Sequence, residues 1–354
     1  MINLLLAIAI FFPMVVYPQA PEPVDSVDVR HYGAIGDGIR DDTAAIQSAI
    51  DSGAKIVNFS AGEYLITDTL VVSGNGVTLQ GAGGGWVAYM YGYPPDTDVG
   101  TSLKWNGEVG GTLLRIGDGV EPNAGCTIRD LVLDGNYSAS NLLVADATYY
   151  LEVDNLMGVA WQHGFAVVVT HSEGVRGSGE KYHTWNHVTL VNPGEGGSGL
   201  DIAPAGSLNV NQVTFTSCNI GRANTDDPSI TSLRMGYADH ITFNRCVFMC
   251  DKPAHEWRDY ERYNPYAITV APIADHRHFP MNIAFYGSAI YGGINYDNAN
   301  LWAESNYSSL LFYPFYTADG QTVPPNGYIN GDPATLPLNM VGGFTDLGQP
   351  LRGQ

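Results

Sequence analysis

The chain has 354 residues, of which only 15% are charged, and its formal net charge is −20. Such an acidic surface disfavours nucleic acid and anionic membranes as partners, and it weighs mildly against polyanionic substrates such as pectate unless a local basic patch offsets the field. The 42 glycines and 21 tyrosines indicate a protein rich in turns and strands rather than in helices.

Residues 1–20 form an apolar N-terminal segment without Lys or Arg. Pro13 interrupts it, and its apolar run is too short to be a confident membrane span. A secretion signal cleaved near Ala20 is the preferred interpretation. The alternative is an uncleaved segment that anchors the protein to a membrane or docks it to a virion. We therefore expect a secreted protein, or else a virion-associated or membrane-anchored one.

The next segment predicts one short amphipathic helix. Ile46, Ala49 and Ile50 fall on one face, and Ser52-Gly53 ends the helical pattern. Asp41 or Asp42 is placed to accept N–H groups of the first turn. Because no other convincing helical pattern follows, we expect this helix to cover the end of an all-β stack.

Beyond the helix, short apolar–polar–apolar strands recur. The segments VTLVNPGE, VTFTSCNI and ITFNRCVF begin at residues 188, 213 and 241, about 25 to 28 residues apart. Cys218 and Cys246 hold the same position in this frame, as do Leu131 and Leu156, so each pair is expected to stack in the interior. The repeat predicts a solenoid of parallel coils over residues 27–295. Residues 296–354, rich in Tyr, Asn, Pro and Gly, are expected to cap the open end or to mediate assembly.

Three sequence stretches carry a resemblance to a known family. They are HYGAIGDGIRDDTAAIQSAI, KIVNFSAGEYLI and GVTLQGAG, all within residues 27–85. They resemble the start of the pectate-lyase-like right-handed parallel β-helix superfamily, which includes tailspike depolymerases and polygalacturonase-like hydrolases. The resemblance implies an all-β, single-stranded right-handed parallel β-helix with an N-terminal capping helix. It does not select a reaction, because hydrolases, lyases, epimerases and non-catalytic spikes share it.

A column of outward side chains is the first candidate site. Taking the middle residue of each second triplet gives Arg115, Leu143, a position near Ala166–Val168, Asp201, Arg234 and Thr269. Asp201 and Arg234 should be neighbours on adjacent coils. They form either a surface ion pair of small energetic value or part of a sugar-binding groove.

Loop carboxylates next to this column suggest acid–base chemistry. Asp226 and Asp227 precede the strand of Arg234, and Glu195 precedes the strand of Asp201. Glycosidases need two carboxyl groups, about 5 Å apart for retention and roughly 6.5–9.5 Å for inversion. Asn224-Thr225-Asp226 resembles the N-T-D element of polygalacturonases, although the G-H-G and R-I-K elements of that family are missing. The alternative is an ordinary Asn/Asp turn.

Two other segments are polar and aromatic. Lys181, Tyr182 and His183 could act as the base and the cation of a lyase, or lie in a solvated loop. The insertion at residues 251–265 contains Trp257, Arg258 and Tyr260, a composition that suits either carbohydrate or a subunit contact.

The sequence predicts no cofactor. A structural calcium ion is compatible with Asp226-Asp227 or with Asp96 and Asp98. Cys218 and Cys246 could form a disulfide, but buried thiols are the preferred interpretation.

Our hypothesis from the sequence is a polysaccharide-degrading glycoside hydrolase. Asp201, Asp226 and Asp227 are the candidate catalytic residues; the candidate substrate contacts are Arg234, Glu195, His183, Trp257, Tyr260 and Arg258. The alternatives are a polysaccharide lyase, or a non-catalytic glycan-binding spike or adhesin of the same fold. The resemblance to tailspikes implies a homotrimer as one assembly, although no heptad pattern marks a trimer interface.

Overall fold

The computed structural model describes most of the chain between residues 25 and 250 and a series of strands after it. The described residues are 25–83, 100–177, 180–223, 227, 229–250, 266–270, 283–286, 288–290, 293–296, 310–313, 329–330 and 338–340. The N-terminal segment 1–20 and the insertion 251–265 lie outside them.

The described part contains one α-helix, α1 (Thr43–Ile50), one 3₁₀-helix (Val29–Tyr32) and 28 strands. The strands before residue 135 are β1 Ser26–Asp28, β2 Asp37–Asp41, β3 Ile56–Asn58, β4 Gly62–Ile66, β5 Leu70–Val72, β6 Thr78–Gln80, β7 Thr101–Trp105, β8 Thr112–Ile116, β9 Asn123–Ala124 and β10 Thr127–Asp134. Those up to residue 250 are β11 Asn141–Asp146, β12 Thr148–Tyr149, β13 Glu152–Val159, β14 Phe165–Thr170, β15 Glu180–Val191, β16 Ser198–Ile202, β17 Val210–Thr216, β18 Asn219–Arg222, β19 Leu233–Met235, β20 Ala238–Asn244 and β21 Val247–Cys250. The last are β22 Tyr266–Val270, β23 Ile283–Tyr286, β24 Ala289–Ile290, β25 Gly293–Tyr296, β26 Leu310–Tyr313, β27 Ile329–Asn330 and β28 Leu338–Met340.

All of these strands except β9 and β12, which pair with each other, stack into three parallel ladders, which makes the fold a parallel β-helix. The first ladder runs β1, β3, β6, then the first halves of β10, β13 and β15, then β17, β20, β23, β26 and β28. The second ladder runs β2, β4, β7, then the second halves of β10, β13 and β15, then β18, β21 and β24. The third ladder runs β5, β8, β11, β14, β16, β19, β22, β25 and β27.

Five consecutive coils bend between the first and second ladders at one residue with left-handed backbone. The residues at this bend have φ between 51° and 60°, and the strand register places them one above another; they are Asp130, Asn155, His187, Ser217 and Arg245. Short polar side chains tolerate this conformation better than most. The Asn155 amide also donates to the Asp130 carboxylate at 2.7 Å, which links two consecutive bends.

The core lies inside the coils, where equivalent side chains stack. The predicted pairs are confirmed, because Leu131 aligns with Leu156 and the strands of Cys218 and Cys246 pair in register. Cys126, Cys218 and Cys246 are buried thiols rather than disulfide partners. A hydrogen bond with Cys218 and burial raise the pKa of the Cys246 thiol, which keeps it protonated.

An aromatic stack forms part of this core. Trp185, Phe215, Phe243 and Phe285 come from successive coils of the first ladder, and their ring centroids are 5.5, 5.0 and 4.8 Å apart. All four side chains are at most 2% exposed. This stacking adds aromatic contacts to the area that the rings bury.

Helix α1 lies against β5, the first strand of the third ladder. Ile46, Ala49 and Ile50 are buried as predicted. The Gln47 side-chain amide donates to Val71 O and accepts from Val71 N, both at 2.9 Å. Asp41 accepts from the Thr43 N–H, whereas the Asp42 carboxylate is buried and binds the N–H groups of Ile35 and Gly36.

The predicted assignment of outward-facing residues in the third ladder is wrong at one coil. Arg115 aligns with Val144, and Leu143 aligns with the buried Leu114. Leu142, Leu143 and Val144 are consecutive apolar residues, so alternation alone cannot decide which of them faces outward. Parallel pairing also continues to Met340, within the segment expected to cap or assemble the protein.

We predict that Phe243→Ala lowers the free energy of unfolding by about 3 to 5 kcal/mol, because it removes the ring that contacts both Phe215 and Phe285. Urea denaturation followed by circular dichroism measures this loss. Tyr286→Ala is the matched control, since Tyr286 is 41% exposed on the neighbouring coil and should change stability by about 0.5 kcal/mol or less. Equal effects of the two substitutions would contradict the stacked core.

Candidate functional site

The outward column of the third ladder brings Asp201 and Arg234 together, as predicted. The two residues are direct register partners. Arg234 Nε donates to Asp201 Oδ1 at 3.0 Å, and Arg234 Nη2 donates to Asp201 Oδ2. The Arg234 guanidinium also lies 4.3 Å from the centroid of the Phe165 ring. A carboxylate and an aromatic face thus fix the orientation of the guanidinium.

The two members of this ion pair differ in their access to solvent. The Asp201 side chain is 2% exposed, whereas that of Arg234 is 37% exposed. Burial raises the pKa of Asp201, and the hydrogen bonds and charge of Arg234 oppose this rise. Asp201 therefore takes up a proton more readily than an exposed aspartate does. It lies beneath the Arg234 cation, which faces solvent.

A second ion pair lies on the same ladder and was missed by the sequence analysis. Arg115 Nη2 donates to Asp146 Oδ2, and Arg115 Nε donates to Gly117 O at 3.1 Å. The buried Asp146 also accepts from the backbone N–H and the hydroxyl of Ser172, at 2.9 and 2.6 Å. Asp146 is the last residue of its strand. In the sequence it is a polar residue after an apolar run, and this pattern does not reveal which side chain it contacts. The one signal in the sequence was Arg115, which the apolar–polar–apolar pattern places on the outer face.

A buried basic cluster lies beside this second pair. Lys181 Nζ is 2.7 Å from His171 Nδ1 and 4.6 Å from the centroid of the Tyr149 ring. His171 Nε2 is 3.1 Å from Val175 O, so the neutral ring donates there and accepts from the ammonium at Nδ1. Both Lys181 and His171 are fully buried. Burial lowers the pKa of Lys181 to about 8, against the opposing charge of Asp146.

His183, a predicted substrate contact, is 2% exposed in this structure. Its Nε2 lies 3.0 Å from Thr148 O and 2.9 Å from Thr148 Oγ1. Burial lowers the pKa of His183 to about 3; the bond to the Thr148 backbone opposes this, and the Lys181 charge adds to it. The interpretation of this region as a solvated loop is wrong for residues 180–191, which form the long strand β15. Of its polar side chains, Lys181 and His183 are buried, whereas Tyr182, Thr184 and His187 are exposed.

The loop carboxylates lie at the surface where they are described. Asp227 is exposed and accepts from the Ser229 hydroxyl and N–H at 2.7 and 2.8 Å, which lowers its pKa. Glu195 is exposed, and its backbone carbonyl accepts from His163 N at 2.9 Å. The remaining predicted site residues, Asp226, Trp257, Arg258 and Tyr260, lie outside the described residues, as do the calcium candidates Asp96 and Asp98.

Within the described ranges, no three His, Cys, Asp or Glu side chains are grouped so that they could hold a metal ion. Among the helices of the same ranges, none is long and apolar enough to cross a membrane.

Comparison with known proteins agrees with this architecture. Residues 26–91 match the family model described as rhamnogalacturonase A/epimerase, pectate lyase-like. The expected resemblance to pectate-lyase-like β-helix proteins is thereby confirmed. Mannuronan C5-epimerase AlgE5 of Azotobacter vinelandii is 34% identical over 119 residues, which are 31% of this chain and 11% of that protein. The similarity thus spans only a small part of the relative's length.

Two solved viral proteins share the fold. ORF18 of Geobacillus virus E2 has a TM-score of 0.52 and 15% identity, covering 90% of this chain and 60% of that one. Pre-mature gene product 12 of bacteriophage phi29 has a TM-score of 0.53 and 13% identity, covering 83% of this chain and 42% of that one. At these identities the likeness shows the fold alone.

We predict that Arg234→Met destabilises the protein by about 2 to 3 kcal/mol at neutral pH, because it leaves the Asp201 carboxylate buried without its cation. The pKa of Asp201 then rises further, so the folded protein binds a proton that the unfolded chain releases. The loss should consequently shrink as the pH falls towards 4. Urea denaturation at pH 7 and pH 4 measures both effects.

Arg115→Met is the matched control for this substitution. It should cost less, because Ser172 still donates twice to Asp146. A larger loss for Arg115→Met than for Arg234→Met would contradict the assignment of Asp201 as the carboxylate that depends on a single partner.

We also predict that His183 makes the protein sensitive to acid. Its pKa is lowered from 6.5 to about 3, so the unfolded chain binds a proton that the folded protein excludes. The stability it contributes is complete above pH 6.5 and is lost as the pH falls towards 3, with about 3 kcal/mol lost by pH 4. His183→Gln should remove this part of the loss between pH 7 and pH 4, as measured by urea denaturation. The exposed His31 is the control, and His31→Gln should retain the loss.

Proposed function

We propose that the protein binds polysaccharide on the outer face of the third ladder and cleaves it by hydrolysis. The observation that carries this proposal is the Asp201–Arg234 pair on that face, in which a buried carboxyl is held by a guanidinium that reaches solvent. Burial raises the pKa of Asp201, and hydrogen bonds from Ser229 lower the pKa of the exposed Asp227. Environments that separate two carboxyl pKa values in this way provide one acid and one base.

The roles follow from these environments. Asp201 is the proton donor to the leaving oxygen, and Asp227, or its neighbour Asp226, is the base or the nucleophile. In the sequence, Asp226 and Asp227 precede the strand of Arg234 by a few residues. Asp201 can donate a proton only if Arg234 releases one carboxylate oxygen. The exposed Arg234 guanidinium is suited to do so, because substrate hydroxyls can replace the bond that it gives up.

Proton abstraction next to a uronate carboxylate is the second candidate, and Lys181 supports it. A lysine whose pKa is about 8 supplies neutral amine near physiological pH, and a neutral amine can act as a base. The similarity over 119 residues to a mannuronan C5-epimerase also favours this chemistry, because inversion at C5 begins with removal of the C5 proton. In the described conformation Lys181 is buried, so the turn after His171 would have to open.

A non-catalytic glycan-binding spike or adhesin is the third candidate. We propose an extracellular or virion-borne location and a homotrimer as the assembly, in line with the resemblance of the sequence to tailspikes. The fold shared with the two viral proteins supports this setting.

Incubation of the full-length protein with laminarin, dextran, pectate and alginate tests the proposal. Hydrolysis gives new reducing ends without the ultraviolet absorbance of an unsaturated product, whereas elimination gives both. Asp201→Asn and Asp227→Asn should each lower hydrolysis at least about 100-fold, the usual contribution of a catalytic acid or base. Lys181→Met should leave hydrolysis unchanged.

The same experiment separates the alternatives. Unsaturated products that disappear in Lys181→Met would assign elimination instead. Reducing ends that persist in both aspartate variants would rule out the carboxyl pair. Retention of a polysaccharide on immobilised protein without any product would assign a binding protein.

A further inference from the structure

A second column of left-handed residues marks the corner just before each strand of the first ladder. Their φ values lie between 51° and 71°, and the strands that follow them pair in register, so they lie one above another along the solenoid; they are Gly76, Gly125, Tyr150, Tyr182, Gln212 and His240. Glycine adopts this conformation readily, whereas a bulky aromatic residue rarely does. The two tyrosines are therefore the unusual members of the column.

Tyr150 and Tyr182 hold a stacked pair of rings at the surface. The ring centroids are 5.2 Å apart, and the planes are inclined by 8°. Despite this contact the residues remain 61% and 45% exposed. Because Tyr182 belongs to the coil that follows Tyr150, it covers one face of the Tyr150 ring. The other face points to the preceding coil.

Glycines occupy the corner on that preceding side. Gly125 and Gly76 are exposed, and the nearest atom to a side chain built on Gly125 is the Cα of Gly76, 3.8 Å away. No side chain at these two corners covers the free face of Tyr150. The Lys55 ammonium lies at the far side, 3.9 Å from a Cβ built on Gly76, and donates to Asn75 O at 3.0 Å.

These residues bound a slot that we call the corner slot: Tyr150 on one side, the backbone of Gly125 and Gly76 as its floor, and Lys55 with Asn75 on the other side. Two coil steps separate the Gly76 corner from the Tyr150 corner, a distance of roughly 10 Å. An α-helix, with a diameter of about 10–12 Å, is too wide for it. A single six-membered ring lying flat on Tyr150 fits.

We propose that the corner slot binds one pyranose ring of a polysaccharide. Tyr150 offers an aromatic face to the C–H groups of the ring, and the Lys55 ammonium and the Asn75 amide bind hydroxyl or carboxylate oxygens at its opposite side. The slot lies before the first ladder, whereas Asp201 faces outward from the third. It is a separate subsite, and the inference does not rest on the proposed catalytic carboxyls.

Calorimetric titration of the full-length protein with hexasaccharides from cellulose, laminarin, alginate and pectate tests the slot. We expect one of these probes to bind, and Tyr150→Ala to weaken its binding roughly tenfold. Gly125→Tyr adds a ring to the stack in the left-handed region that Tyr150 also occupies, with φ of 71° at Gly125 and 52° at Tyr150, and it should block the slot to a similar extent. Lys55→Met, which keeps the length of the side chain, should weaken binding severalfold.

Tyr286→Ala is the matched control, since Tyr286 is a 41% exposed tyrosine of the first ladder outside the slot. It should bind the probe as the wild type does. Circular dichroism melting checks that every variant is folded; if Gly125→Tyr does not fold, Tyr150→Ala and Lys55→Met decide. Failure of all four hexasaccharides to bind, or unchanged affinity in Tyr150→Ala and Lys55→Met, would overturn the proposal. Weakened binding in Asp201→Asn alone would place the sugar on the third ladder and would also overturn it.

Discussion

The architecture depends on the left-handed bend between the first and second ladders. In five consecutive coils one residue makes this bend, and these residues lie in register; they are Asp130, Asn155, His187, Ser217 and Arg245. Because these coils turn at the same point, each side chain before or after the bend lies directly above its counterpart. The aromatic stack, the thiols of Cys218 and Cys246 and the outward columns all follow from this alignment. The free energy that each left-handed residue costs is offset by the regular stacking of the coils.

The alignment of the coils also determines where charged side chains lie. Along the third ladder the outward positions change from the apolar Val144 and Val168 to Asp201 and Arg234. Apolar neighbours and the overlying Arg234 guanidinium shield Asp201 from water. This burial raises the pKa of Asp201 relative to that of a surface carboxyl. At the edge of the same ladder, Asp146 lies near Lys181 and offsets part of the penalty for burying it. Two buried acids with cationic partners therefore lie on a ladder whose outer face is otherwise apolar or neutral.

Sequence patterns predicted the features that repeat from coil to coil. The spacing of residues 188, 213 and 241 defines the coils, and it placed Asp201 beside Arg234 correctly because both sit in clear apolar–polar–apolar triplets. The predicted outward position was wrong at Leu142–Val144, because three consecutive apolar residues do not show which side chain faces outward. Sequence patterns also missed the Lys181–His171 contact, since a polar run gives no sign that tertiary packing will bury it. The Tyr150–Tyr182 stack was equally hidden, because it depends on backbone angles that most residues avoid.

The paired hydrogen bonds between Gln47 and Val71 cover part of the outer edge of β5, the first described strand of the third ladder. A parallel strand at the end of a ladder normally presents free N–H and C=O groups, and these can recruit a strand from another molecule. At Val71 the glutamine amide supplies one donor and one acceptor with the geometry of a neighbouring backbone. A strand from another molecule could therefore pair with the backbone of Val71 only after α1 had moved away from it.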